Sequence, residues 1–164
     1  MPNVMAAFDM VEHNILLNRY TSFGISSTGC SWICSYLKRR SQCVRAGQSS
    51  SQYIECFSGV PQGSVLGLLL FSVYTSPISF IASDLGISLQ QYADDTQLYI
   101  SVSADDPTVD LNSLESCLQS LHSRLCQNGL ALNSGKSESI LLSTPSCIRN
   151  FPSVSGVNIA GTYI

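Results

Sequence analysis

Gln91-Tyr92-Ala93-Asp94-Asp95-Thr96-Gln97 sets two adjacent carboxylates between two apolar runs. Gly86-Ile87-Ser88-Leu89-Gln90 leads in, and Leu98-Tyr99-Ile100-Ser101-Val102 leads out. Both flanks alternate apolar with polar, the period of a strand with one buried face. Aspartate accepts turn geometry readily, so the pair reads as the tip of a tight β-hairpin. Carboxylates at such a tip can hold a hard divalent cation through oxygen. A lone Asp-Asp pair is more often a plain solvated turn, so the rest of the chain has to decide.

Composition describes a core element of something larger. Apolar residues make up 45% and charged residues only 12%, so a folded core is expected, with outer surfaces that meet other protein. The net charge of −3 argues against this chain alone gripping a nucleic-acid backbone. Lys38-Arg39-Arg40 is the one local basic run. Seven cysteines, at 30, 34, 43, 56, 117, 126 and 147, include no Cys-x2-Cys pair. An odd count fits reduced thiols and an intracellular location. Cys30 and Cys34 have no nearby histidine pair, a poor zinc site, and are read as core residues. Met1 to Val11 has neither a basic n-region nor an apolar core, so no signal peptide is expected. Ser64 to Ala82 holds no charged residue, which raises the question of a membrane span. Pro77, the serines and the missing basic flank favour a buried core helix instead.

In chain order, Met1 to Phe8 reads as extended. Glu12 to Phe23 reads as a short amphipathic helix ended by Gly24. Ser26 or Ser27 is expected to cap a second helix with Trp32, Ile33, Tyr36 and Leu37 inward. Gln42 to Ala46 and Gln52 to Phe57 read as strands around the polar loop 47–51. The Gly/Pro-rich turn Ser58 to Ser64 opens into the long apolar helix, with Ser64 at the N-cap position. Gly59 and Gly63 lack a Cβ and would let that backbone pass close to a ligand. A helix over 107–128, stopped by Gly129, carries leucines at helical spacing. His122 and His13 have no clustered partner and are read as non-catalytic. Leu130 to Leu132 reads as a short strand before a turn carrying Lys136, with Ile140-Leu141-Leu142 beyond. Val154, Val157 and Ile159 form a weak strand pattern, and there is no internal repeat.

Four segments then stand in a telling order: Ala6-Ala7-Phe8-Asp9-x-Val11-x-His13, Gly59-Val60-Pro61-Gln62-Gly63-Ser64-Val65-Leu66-Gly67, Tyr92-Ala93-Asp94-Asp95 and Leu130-x-Leu132-Asn133-x-x-Lys136-Ser137-Glu138. They resemble the successive palm motifs of a reverse transcriptase of the non-LTR retrotransposon type, across residues 3–142. The second and third together are highly specific. The resemblance implies an RNA-directed DNA polymerase that extends a primer 3′ end by in-line attack on a deoxynucleotide. Two Mg²⁺ ions, roughly 3.5–4 Å apart, serve such chemistry. It implies that Asp94 is the principal metal ligand and Asp95 its helper. Phe8 falls at the steric gate that screens the 2′-hydroxyl, and Pro61, Gln62 and Gly63 lie along template and nucleotide. Lys136 stands near the pyrophosphate as charge stabiliser and general acid. RNA template, DNA primer and dNTP are the implied partners, without a membrane, inside a larger polyprotein.

The departures matter as much. The first motif's metal-binding carboxylate belongs four residues before Ala7, where this chain has Asn3. Asparagine keeps a carbonyl oxygen but loses the charge that bridges two dications. Asp9 lies six residues further along and cannot simply replace it. Leu68 stands where many relatives carry proline. Fingers and thumb are largely missing, and 143–164 reads as an incomplete start of the following segment. The expectation is therefore a single partial reverse transcriptase domain over 1–164, of α+β class. It is a palm-type antiparallel sheet with the 64–82 and 107–128 helices packed on one face. Unaided, it is expected not to polymerise. The alternative is a non-catalytic palm remnant, kept as a binding or assembly module or as a decayed relic.

Overall fold

In the computed structural model, which describes residues 5–103, 105–145, 148 and 156–164, the first element is one short helix. This is α1, Met5–Asp9. The extended reading is thereby corrected over Met5 to Phe8, while Met1 to Val4 lie outside the described residues: Met and Ala favour helix, and the helix stops where its carbonyls find partners elsewhere. Val60 N–H donates to the Phe8 carbonyl at 2.9 Å and Gly59 N–H to that of Val11 at 2.8 Å. The Ser58 hydroxyl donates to the Asp9 carbonyl at 3.0 Å. A helix end left without partners would be costly to bury.

The chain forms two units, Met1–Thr75 and Ser76–Ile164. In the first, α2 (His13–Ser22) is capped by Glu12, whose carboxylate accepts from Ile15 N–H at 2.9 Å. It packs against α3 (Ser27–Leu37) and α4 (Val65–Thr75). Val11, Leu16, Leu37, Leu70, Phe71 and Tyr74 are fully buried here. On α3, Ile33 and Leu37 face inward as expected, but Trp32 is 58% exposed. Its large ring lies on the outer flank, stacked on Tyr36. Burial pushes the Tyr20 and Tyr74 phenols up from their ordinary range.

The expected hairpin over 42–57 is present in a tighter form. Strands β1 (Ser41–Gln42) and β4 (Ile54–Glu55) pair, as do β2 (Arg45–Ala46) and β3 (Ser49–Ser50). The loop is therefore only Gly47-Gln48, and part of the stretch read as loop is strand.

The charge-free stretch 64–82, expected as one helix, is two. Helix α4 ends at Thr75, and α5 (Pro77–Asp84) starts with Pro77 at its first position. Proline has no N–H to give and clashes with the carbonyl one turn back, so it can open a helix but not continue one. Among the described residues no single helix is long and apolar enough to cross a membrane.

The second unit is built on α5, α6 (Thr108–Gln127) and the hairpin of β5 (Ser88–Tyr92) and β6 (Asp95–Tyr99). Ile78 and Ala82 of α5, Ile87, and Cys117 and Leu121 of α6 make one cluster, with Leu89, Leu98 and Ile100 packed against it. Burial raises the Cys117 thiol above its ordinary range. The end of the chain returns as β7 (Asn158–Ile159) and β8 (Thr162–Tyr163). Val157 and Ile159 pack on Leu118, joined by Leu98 and Leu132. Val154 lies outside the described residues.

Helices and antiparallel ladders thus mix as an α+β fold. Among the described residues every sheet is two-stranded, rather than one central sheet. The strand read at 130–132 does not form, and Ile140 to Leu142 carry no ladder either. Three consecutive apolar residues present no single face to a partner, and Ile140 and Leu142 are 76% and 87% exposed.

Candidate functional site

The hairpin of the second unit has an unbroken register: Ser88 faces Tyr99, Leu89 faces Leu98, Gln91 faces Thr96 and Tyr92 faces Asp95. Residues directly opposite share a face. One face carries Leu89 and Leu98 into the core, and the other carries Gln90, Gln97, Tyr92 and Tyr99 outward, with Tyr92 76% exposed. A shift of one residue would exchange these faces, so burial of the leucines fixes where the turn falls.

That turn is Ala93-Asp94, not Asp94-Asp95. Asp94 sits half-buried in the turn, while Asp95 is the first residue of β6 and exposed. Ala93 adopts φ of +55°, a left-handed conformation that costs an L-residue roughly 1–2 kcal/mol. The Gln91 side-chain amide supports it by donating to the Ala93 carbonyl at 2.9 Å. Lys136 ends a short 3₁₀ turn, Ser134–Lys136, and is exposed. Leu132, four residues earlier, packs in the same cluster as Leu98. The strand leading out of the third motif and the fourth motif thus pack on one cluster inside one unit.

The first and second motifs are tied inside the other. Beyond the hydrogen bonds from 58–60 to the 8–11 carbonyls, the Phe8 ring is buried and stacks on Phe71, centroids 4.6 Å apart. His13 Nε2 donates to the Gly59 carbonyl at 2.8 Å, a structural tie that its lack of clustered partners did not suggest. Gly59 has φ of +85°, and a Cβ there would stand 3.0 Å from the Asp9 backbone. Its missing side chain serves this internal approach. Pro61 is half-buried, while Gln62 and Gly63 are exposed at the turn. Ser64 caps α4 as expected: its hydroxyl accepts from Gly67 N–H at 3.0 Å, donates to the Pro61 carbonyl at 2.7 Å, and takes a bond from the Tyr36 hydroxyl at 3.2 Å. Asn3 lies outside the described residues.

As a metal site the donor chemistry is right and the donor number is short. Asp94 and Asp95 offer hard oxygen ligands suited to a divalent cation. Among the described residues no group of three or more His, Cys, Asp or Glu converges, so these residues do not by themselves make a two-ion site.

No curated protein and no solved structure matches the chain significantly. The family model of the reverse transcriptase (RNA-dependent DNA polymerase) matches residues 3–162, nearly the whole chain, and the chain therefore belongs to the reverse transcriptase family.

Proposed function

We propose that residues 1–164 are the palm-type part of one reverse transcriptase domain of the non-LTR retrotransposon kind, carried in a larger polyprotein. The observation that carries this reading is the Ala93-Asp94 turn, held at one register by Leu89 and Leu98. On this reading Asp94 is the main ligand for Mg²⁺ and Asp95 assists. In the family the two ions supply charge stabilisation at the transferred phosphate. Lys136 adds positive charge toward the pyrophosphate, and the turn at Pro61, Gln62 and Gly63 faces template and nucleotide. Phe8 stands at the gate position by resemblance, with its ring buried against Phe71. RNA template, DNA primer and dNTP are the ligands. The odd cysteine count is the ground for proposing a reducing, intracellular setting.

We further propose that the chain does not polymerise unaided, because Asn3 leaves the site one charge short. Primer extension on an RNA template is the test. The expected result is no product; extension that Asp94→Ala abolishes overturns the inactivity. Mn²⁺ binding tests the site itself: weak affinity in the unaltered chain, lost in Asp94→Ala and tightened by Asn3→Asp. An unchanged affinity in Asn3→Asp removes residue 3 from the site. The second reading, a non-catalytic binding or assembly module, is favoured by the exposed run Ile140, Leu141 and Leu142. It predicts that Asn3→Asp restores cation affinity without restoring synthesis.

A further inference from the structure

Cys30 and Cys34, read from sequence as core residues, are half-buried and free on α3. They line an open cleft of about 480 Å³ between α2 and α3. Leu17, Asn18 and Thr21 supply the α2 wall, and Lys38 also lines the cleft. On a helix, residues four apart stand one above the other, with Cβ atoms roughly 5–6 Å apart. The two thiols therefore sit one turn from each other on the same stripe, and Lys38 follows at the next step beyond the helix end. The Cys30 sulfur is held only loosely, 3.8 Å from the Thr21 hydroxyl and 3.7 Å from the Ile25 carbonyl. Such sulfur hydrogen bonds are weak and do not compete with a metal.

We propose that Cys30 and Cys34 form a two-coordinate site for a soft, thiophilic monovalent cation, copper(I). Thiolates select such ions over hard ones. Zinc requires a fuller, tetrahedral ligand set, and no third His, Cys, Asp or Glu joins the pair among the described residues. On binding, each thiol releases its proton to solvent and two S–Cu bonds form; no electron is transferred. The resulting bis-thiolate complex carries one net negative charge, which the Lys38 ammonium offsets.

Trp32 is the one tryptophan in the chain and lies on α3 two residues from each thiol, on the outer side of the helix, a reporter within one helical turn of the pair. The full chain, fully reduced and without oxygen, is titrated with copper(I) delivered from its bathocuproine complex. One equivalent is expected to quench Trp32, and Cys30→Ser/Cys34→Ser to abolish that quenching. Lys38→Gln is expected to weaken competition with the chelator by roughly tenfold, and Cys126→Ser to leave it unchanged. Quenching that persists in the double variant overturns the site. A measurement on the unaltered chain guards against a misfolded variant. Bound copper(I) is expected to shield Cys30 and Cys34 from iodoacetamide, mapped by peptide mass. Equal alkylation with and without copper(I) overturns the proposal as well.

Discussion

Among the described residues three hairpins turn over two residues, each with its first turn residue at positive φ, and two of them make the sharpest contrast: Gly47 at +62° and Ala93 at +55°. Glycine adopts that conformation freely, whereas alanine is strained there. The hairpin with the relaxed turn is the loosely specified one. Its strand residues are all exposed. Between Gln42 facing Ile54 and Arg45 facing Ser50, two residues on one strand answer three on the other, a bulge. The hairpin with the strained turn keeps one register throughout and buries a face. Strain of this sort survives only where surrounding packing over-determines it. In this chain the packed leucines hold a turn that alanine would not choose, and the carboxylate rides on that turn.

Four substitutions probe this contrast. Leu98→Ala should have the largest effect, a loss of about 2 kcal/mol, read as faster hydrogen exchange across β5 and β6. Unchanged exchange there would mean that the packed face does not hold the turn. Gly47→Ala should cost about 1 kcal/mol, because alanine takes on the left-handed strain with no core to offset it. A urea titration followed by Trp32 fluorescence measures it; a neutral result would show that this turn can relax. Ala93→Gly runs the other way, with a gain of roughly 0.5 kcal/mol once glycine's greater unfolded freedom is subtracted. A loss would mean that Ala93 is not strained. Ile54→Ala, in the exposed hairpin, should change stability by less than about 0.5 kcal/mol, and a cost near that of Leu98→Ala would erase the distinction between the two.

Much of this was legible in local pattern. Alternation around Asp94 located the hairpin, and Ser64 ahead of an apolar run marked a helix cap. What escaped was whatever depended on contacts across long separations. No local signal shows that Val60 will meet the Phe8 carbonyl, or that His13 will hold Gly59. The turn fell one residue earlier than the Asp-Asp pair suggested, because the facing of Leu89 and Leu98 decides it rather than the turn chemistry of aspartate. Pro77 did carry its signal, a helix start, but the surrounding apolar run masked it. Cys30 and Cys34 looked like core because cysteine usually is; only the cleft beside α2 shows them open. The positions of Asp94, Asp95 and Lys136 came from motif resemblance, since a carboxylate in a turn and a lysine after it are common features.

The bond from Ser58 to Asp9 spans 49 residues, and this gives the chain a timetable. The hairpin around Asp94 closes over two residues, an event of about 1–10 μs. The first unit cannot finish until residues 58–60 leave the ribosome, roughly 2–10 s after Asp9 at ordinary synthesis rates. Through that interval the Phe8 ring and the last carbonyls of α1 lack their final partners. A nascent chain therefore holds its first motif open for seconds, long enough for a chaperone to find it.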